Sequence, residues 1–175
     1  MSRSQNGWPV IPENTSPPLV TVKVPTKNGT TKLRVRGGDV ALVLAHFTLL
    51  WDDHIEPVYG NVLDDWGYAY RPVRGQTSGF SNHASGTAID LNATKHPLGT
   101  LTFSSAKRAL LLALMKVRYA GVLRWGGTYT GRKDQMHVEI APGVSAAQVA
   151  KVAARLRTAS GGRRIRNANP GMWPA

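Results

Sequence analysis

The sequence contains no cysteine, which excludes structural disulfides, thiol catalysis and zinc sites with cysteine ligands. It also lacks a long apolar run. The longest apolar stretch, 109–115, has basic residues on both sides and is far short of the roughly 20 residues that cross a bilayer. Residues 1–7 have none of the apolar core of a secretory signal peptide. We therefore expect a chain without a membrane span, synthesised in the cytoplasm, whose action elsewhere would need another export route.

Acidic residues are scarce in this chain. Ten Asp and Glu residues stand against 22 Lys and Arg residues, so the formal net charge is +12. Such a surface attracts polyanions, which include nucleic acid, anionic lipid and the anionic polymers of a bacterial wall. The charge by itself does not choose among these partners. The length of 175 residues fits a single domain that can bury a core.

The order of apolar residues predicts an α+β domain, with strands and helices in mixed order. Alternating residues at 19–24 and 31–36, with Asn28-Gly29 between them, predict a β-hairpin. Asp39 is suited to cap a helix, because apolar residues recur at helical spacing directly after it. The remaining strands are predicted at 66–71, 87–92, 122–125 and 136–140.

Two further helices are predicted in the second half of the chain. One begins at Ser104 or Ser105, and the other follows a capping box formed by Ser145 and Gln148. The residues predicted to face the core are Leu110, Leu111, Leu114 and Met115 in the first of these and Val149, Val152, Ala153 and Leu156 in the second.

The first motif that carries chemistry is the segment 81–90, SNHASGTAID. Asp90 lies within a strand, and period-two alternation places it on the face opposite the apolar residues, beside the small Ala88. His83 lies in the loop that enters this strand. Gly86 lets the backbone turn so that His83 reaches the same side as Asp90.

The second motif is the segment 134–140, DQMHVEI. Alternation places His137 and Glu139 together on one face of a strand, while the other face is apolar. Two imidazoles and one carboxylate, from His83, Asp90 and His137, make a three-ligand zinc site. Its fourth position is open for water, which is typical of catalytic zinc. The plainer alternative is that these are satisfied polar residues of the core and loops.

Hydrolysis at such a site needs a proton acceptor and a cation. Asp134 lies three residues before His137, close enough to reach the water without coordinating the metal, and is the favoured base. Glu139 is the rival, better placed to orient a ligand from behind. Arg71, with Arg74 behind it, is the candidate cation for a developing oxyanion; a surface salt bridge is the alternative.

Several other residues are weaker candidates. The segment Trp125-Gly126-Gly127 is either a strand end or a place where backbone approaches a peptide substrate. Three histidines are not expected to bind metal: His46, His54 and His96. Asp53 and Glu56 are interpreted as part of a solvated helix end. The candidate substrate-binding residues are Ser81, Trp125, Gly126 and Tyr70.

The pattern Ser-x-His-x-x-Gly-x-Ala-x-Asp, followed by Trp-Gly-Gly and Asp-x-Met-His-x-Glu, resembles a known family. It is similar to the zinc peptidases of the D-Ala-D-Ala carboxypeptidase and L-alanyl-D-glutamate endopeptidase group, the M15 peptidases. The matching positions are Ser81, His83, Gly86, Ala88, Asp90, Trp125, Gly126, Gly127, Asp134, His137 and Glu139. The resemblance covers roughly residues 38–159.

This resemblance implies a single compact domain with a small antiparallel sheet and flanking helices, the hedgehog/D-Ala-D-Ala peptidase-like fold. It implies that His83, Asp90 and His137 bind Zn²⁺, that Asp134 is the general base and that Arg71 holds a substrate carbonyl or carboxylate. We expect an extended lead-in and hairpin at 1–38, a zinc peptidase domain at 39–159, and a basic, loosely held tail at 160–175.

The expected function is hydrolysis of the peptide stem of bacterial peptidoglycan, as in a phage endolysin. Such an enzyme is made in the host cytoplasm and released onto the wall, where its basic surface meets anionic polymers. A monomer without nucleic-acid partners is expected. Two alternatives remain: a non-catalytic, zinc-containing wall-binding module, and a basic nucleic-acid-binding protein that only the charge supports.

Overall fold

The computed structural model describes residues 2–13, 18–58, 64–73, 75 and 79–173, and it confirms the α+β class. In chain order the elements are β1 (Leu19–Thr26), β2 (Gly29–Arg36), α1 (Asp39–His54), β3 (Ala88–Asp90), α2 (Ser105–Tyr119), β4 (Leu123–Trp125), β5 (His137–Ile140), α3 (Ala146–Thr158) and α4 (Ser160–Ala168). None of the described helices is long and apolar enough to span a membrane.

The predicted hairpin is confirmed. Strands β1 and β2 pair antiparallel from Leu19 opposite Arg36 to Thr26 opposite Gly29. Their alternation sends one set of side chains into the core and leaves the other in solvent. The inward residues that are fully buried are Val22, Val24, Leu33 and Val35.

Helix α1 is the centre of the core and packs against the hairpin, α3 and α4. It is buried on all sides except near its C-terminus. Its sequence is therefore almost continuously apolar, as expected for a helix that has no solvent-facing side. The predicted Asp39 cap is wrong. Gly38 is the N-cap residue, with φ 69°, and it offers no side-chain hydrogen bond. Asp39 is the first helical residue and pairs with Arg157 of α3 at 2.5 Å.

The sheet that carries the site has the strand order β3-β5-β4, and both pairings are antiparallel. In this register Ala88 lies opposite Glu139, and Asp90 lies opposite His137. The predicted faces are therefore confirmed. Arg124 of β4 lies on the other side of Glu139.

The strand predicted at 66–71 is wrong, because only Trp66 makes a ladder contact. Trp66 exchanges two backbone hydrogen bonds of 2.8 Å with Asp90, at the edge of β3. Gly67 then packs so tightly on the backbone of Arg34 that a side chain would overlap it. The chain turns to contact the hairpin and the 3-10 turn at Asn82–Ser85 instead of continuing the sheet.

The two later helices follow the prediction with one exception. Leu111 and Met115 of α2 are buried, but Leu110 is 46% exposed, so its predicted core position is wrong. The buried face of α2 is narrower than the apolar pattern suggests. In α3 the capping box of Ser145 and Gln148 is present. All four residues predicted to face the core are buried: Val149, Val152, Ala153 and Leu156.

Residues 160–173 form a packed helix and turn, which corrects the expectation of a loosely held tail. Ile165 and Trp173 are buried in the main core. The side-chain amide of Asn169 makes two hydrogen bonds to the backbone of Lys23 in β1. Its Oδ1 accepts from the Lys23 N–H at 2.8 Å, and its Nδ2 donates to the Lys23 carbonyl at 2.7 Å. The Trp173 indole N–H also donates to the Gly38 carbonyl at 2.8 Å, and Arg164 pairs with Asp53 at 2.8 Å. These contacts are with residues far away in the sequence, so composition alone does not show that the segment is packed.

Candidate metal centre and active site

His83 is held by a short 3-10 turn, Asn82–Ser85, that precedes β3. The Ser81 hydroxyl caps the turn by accepting from the His83 N–H at 3.3 Å. Gly86 ends the turn with φ 67°, and a Cβ there would lie 2.5 Å from the Arg36 nitrogen. Only glycine meets both conditions. The predicted role of Gly86 in turning His83 toward Asp90 is consistent with this geometry.

The three predicted ligands converge. The Nδ1 atom of His137 lies 2.8 Å from Asp90 Oδ1, and the Nε2 atom of His83 lies 3.3 Å from the same oxygen. The two ring nitrogens are 3.2 Å apart. All three residues are buried, and within the described part of the chain they form the group of side chains that could hold a metal ion. Two imidazoles and one carboxylate fit Zn²⁺ with a position left for water or substrate.

Hydrogen bonds behind the ligands orient both imidazoles. The Nδ1–H of His83 donates to the Gly67 carbonyl at 2.6 Å, which leaves Nε2 facing the cluster. The Nε2–H of His137 donates to Glu139 Oε2 at 3.0 Å, which leaves Nδ1 facing the cluster. A carbonyl or carboxylate behind a histidine ligand fixes its tautomer and raises its basicity. These hydrogen bonds therefore turn one ring nitrogen of each histidine toward the cluster.

Glu139 is the most heavily engaged carboxylate of the site. It is 1% exposed and accepts hydrogen bonds from Arg124 Nε at 2.6 Å and from the Asn82 amide, in addition to His137. Burial raises the pKa of Glu139, but the bonds and charges of these partners outweigh burial and lower it to about 2. Glu139 therefore stays ionised behind His137, which supports the predicted orienting role.

The charges of the cluster are coupled. Burial raises the pKa of Asp90, but the charge of His83 and the hydrogen bonds from both histidines hold it well below its usual range. Burial lowers the pKa of His137, but its hydrogen bonds to Asp90 and Glu139 raise it to about 10. The protonated ring thus bridges two carboxylates. A cation bound by Nδ1 of His137 would take the place of that proton.

Asp134 is positioned by the turn that follows β4. Its N–H donates to the Gly126 carbonyl at 3.1 Å, and its carbonyl accepts from the His137 N–H at 3.3 Å. A Cβ on Gly126 would overlap the Asp134 carbonyl and lie 2.9 Å from its Cβ. Gly126 therefore seats Asp134, and its predicted contact with a substrate stays a prediction.

A cleft opens over the cluster as two adjoining cavities, of about 580 Å³ and about 320 Å³. Residues lining both cavities are Arg71, His83, Asp90, Leu98 and Met136. Asp134 and His137 line the smaller cavity, and Glu139 lines neither. The cleft thus passes over the three donors, with Asp134 and Arg71 at its walls.

A family model described as D-alanyl-D-alanine carboxypeptidase matches residues 74–140. This segment contains His83, Asp90, Asp134, His137 and Glu139. The match supports the M15-type peptidase family. It covers the centre of the region expected from the motifs and leaves 38–73 and 141–159 outside. Searches of curated proteins and of solved structures give no match.

The other residues predicted to bind substrate differ in where the structure places them. Ser81 lines the smaller cavity. Trp125 is 1% exposed, donates to the Gln135 carbonyl at 2.8 Å and lies in the core, so its predicted substrate contact is wrong. Tyr70 is exposed, packs on Phe80 and lies outside both cavity linings, so its contact with a substrate stays a prediction. Arg74 lies outside the described residues.

Sequence reasoning missed Tyr129 and Arg124 of the candidate site. Tyr129 lines the smaller cavity, with its ring 6.3 Å from that of His137, and burial beside Glu139 raises the pKa of its phenol. Arg124 lies over the Tyr129 ring at 4.8 Å and pairs with Glu139. Arg124 is a basic residue in a short, otherwise apolar strand, and this feature could have identified it from the sequence. Tyr129 carries no comparable indication.

The remaining histidines stay outside the cluster, but two of them are not solvated. His46 is buried in α1, and its Nδ1 lies 2.9 Å from the Tyr119 hydroxyl. His96 is 3% exposed, and its Nε2 lies 2.6 Å from Glu56 Oε1. The interpretation of Glu56 as part of a solvated helix end is therefore wrong, because the chain folds back to bury its carboxylate against His96.

Proposed function

We propose that this protein is a zinc-dependent peptidase that hydrolyses the peptide stem of bacterial peptidoglycan. The observation that carries the proposal is the convergence of His83, Asp90 and His137 at a cleft that Asp134 also lines. The match to D-alanyl-D-alanine carboxypeptidase over 74–140 supports the class of substrate. A buried set of donors with outer hydrogen bonds suits catalysis better than a chance group of polar residues.

Each residue has a part that its position allows. When bound, zinc supplies Lewis acidity, which lowers the pKa of water toward about 7 and polarises a carbonyl. Asp134 accepts a proton from the attacking water and returns it to the amine that leaves. Arg71 stabilises negative charge on the attacked carbonyl oxygen or holds a substrate carboxylate from the cleft wall. Glu139 keeps His137 oriented throughout.

The biological setting we propose is lysis of a bacterial host by a phage endolysin. A net charge of +12 suits an enzyme that works on an anionic wall, because opposite charge raises its local concentration there. We propose that it is made in the host cytoplasm, is released onto the wall and acts as a monomer on the stem peptides.

The non-catalytic alternative predicts that a residue unable to accept a proton occupies the position of the base. Asp134 occupies that position, and this favours the peptidase over a wall-binding module. Nucleic-acid binding has only the net charge in its support, since the groups gathered in the cleft are donors for a metal rather than contacts for phosphates.

The test is digestion of purified peptidoglycan by zinc-loaded protein, with the new chain ends identified by mass spectrometry. Free D-Ala indicates a carboxypeptidase, and a new N-terminal D-Glu indicates an L-Ala–D-Glu endopeptidase. Treatment with a chelator and the variant Asp134→Ala are the controls, and both should abolish the new ends. Zinc-loaded protein that binds the wall but releases no new ends would establish the non-catalytic alternative.

A further inference from the structure

The outward face of α2 is apolar, although nothing in the described structure covers it. Residues at spacings of three, four and seven share one face of a helix. On α2 the face turned directly away from the core consists of Ala106, Ala109, Leu110, Ala113 and Val117, all of them exposed. Leu110 is 46% exposed and Val117 is 72% exposed. We call these five residues the α2 face.

A second helix of the same chain shows how a solvent-facing surface is otherwise built. Helix α3 also buries one side, but its exposed side carries Gln148, Lys151 and Arg155. Polar residues opposite the core are the usual pattern for a surface helix. The α2 face departs from that pattern over the length of the helix, which is about 22 Å for 15 residues.

The borders of the α2 face are basic. Lys107 lies on one side near the start of the helix, and Lys116 and Arg118 lie near its end. Arg155 of α3 reaches the Arg118 carbonyl at 3.4 Å and adds a further charge there. The sequence of α2 contains no acidic residue. At the start of the helix, Lys107 pairs with Glu56 at 3.5 Å.

We propose that the α2 face binds an anionic lipid surface, with the helix lying in the plane of the interface. An apolar face with basic borders inserts its side chains among the acyl chains and leaves the cations at the phosphates. A second copy of this chain is a poor occupant, because pairing two such faces brings like charges together. The cleft is lined by no residue of α2, so this proposal is independent of the peptidase.

The experiment measures co-sedimentation of the full chain with vesicles made of equal parts phosphatidylglycerol and phosphatidylcholine. Vesicles of phosphatidylcholine alone are the reference and should bind little protein. The double variant Leu110→Gln with Val117→Gln keeps the charge and should weaken binding to the anionic vesicles about tenfold or more. The variant Leu101→Gln removes a leucine that is 55% exposed outside α2 and should bind like the unmodified protein.

The charge arm uses Lys116→Gln with Arg118→Gln. Loss of two cations at the border should weaken binding about tenfold or more at moderate salt. Its matched control is Lys23→Gln with Lys32→Gln, which removes two exposed cations from the hairpin and should have a smaller effect. Equal losses in the two charge variants would mean that only net charge matters, and the proposal would be wrong.

Two other partners give distinct results. If the α2 face binds an anionic wall polymer instead, the charge variant loses binding while Leu110→Gln with Val117→Gln binds vesicles and polymer like the unmodified protein. If it binds a second copy, analytical ultracentrifugation shows a dimer that the same apolar variant dissociates. Either result overturns the proposal. An unchanged circular dichroism melting curve shows that the exposed substitutions leave the fold intact.

Discussion

Asp90 and His137 face each other across neighbouring antiparallel strands, with 2.8 Å between Oδ1 and Nδ1. The same carboxylate oxygen lies 3.3 Å from His83. Asp90 thus places an anion between the two imidazoles and lines the cleft. Its charge is central to the affinity of the cluster for a cation.

We expect Asp90→Asn to lower zinc affinity by at least about 100-fold, because the variant keeps the shape of the side chain but loses its negative charge. Competition titration with a chromogenic chelator measures the change. Asp53→Asn is the control, since Asp53 pairs with Arg164 at the surface and should leave zinc affinity unaltered. Equal affinity in Asp90→Asn would remove Asp90 from the ligand set.

Asp134→Ala should retain zinc and lose turnover. The carboxylate lines the cleft but lies outside the three-donor cluster, and removal of a general base reduces rates by about 10²- to 10⁴-fold. Bound zinc and release of stem-peptide ends are measured on the same preparation. Retained activity in this variant would make Glu139 the candidate base.

Glu139→Gln should weaken zinc binding about 10- to 100-fold, because the amide no longer supplies a negative charge behind His137. The matched control is Glu56→Gln. Glu56 also pairs with a buried histidine, His96, but away from the cluster. Zinc affinity should distinguish the two variants even if both lose stability. A similar loss of zinc affinity in both variants would indicate a general effect on folding.

The pair of Glu56 and His96 should make stability depend on acid pH. Burial raises the pKa of Glu56, but the hydrogen bonds from His96 and Asn92 outweigh it and lower the pKa from 4.5 to about 2. A depressed pKa contributes stability above pH 4.5, and the contribution falls as the pH drops from there toward about 2. The difference between these two pKa values corresponds to about 3 kcal/mol.

Chemical denaturation of apo protein as a function of pH tests this contribution. Between pH 5 and pH 3, the free energy of unfolding should decrease in both proteins. The decrease should be about 1–2 kcal/mol smaller in Glu56→Gln than in the unmodified chain. Parallel pH profiles for the two proteins would show that the pair does not stabilise the fold.

Gly126→Ala should reduce turnover more than zinc binding. The added methyl overlaps the Asp134 carbonyl, and the strain moves the base while the three ligands stay on their own elements. Gly131→Ala is the control, because a Cβ there meets nothing within 4 Å. Steady-state rates and zinc titration on both variants test this. Normal turnover in Gly126→Ala would show that the turn accommodates the methyl.

The sequence predicts the site better than its surroundings. Strand alternation places Asp90, His137 and Glu139 on one face, and the structure agrees, because a period of two leaves only two choices. Leu110 and Trp125 were predicted wrongly because apolar identity does not show whether a side chain meets the core, the solvent or the cleft. The contact of Asn169 with β1 depends on a partner more than 100 positions away, which no local pattern contains.

The β3–β5 register has a consequence for how the molecule matures. A shift of β5 by one position against β3 turns His137 and Glu139 toward the apolar side at once. A shift by one position therefore separates His137 from Asp90 and His83, and the three ligands converge in the register that the structure shows. The rate of metal uptake during refolding should therefore report when β3 and β5 pair in this register.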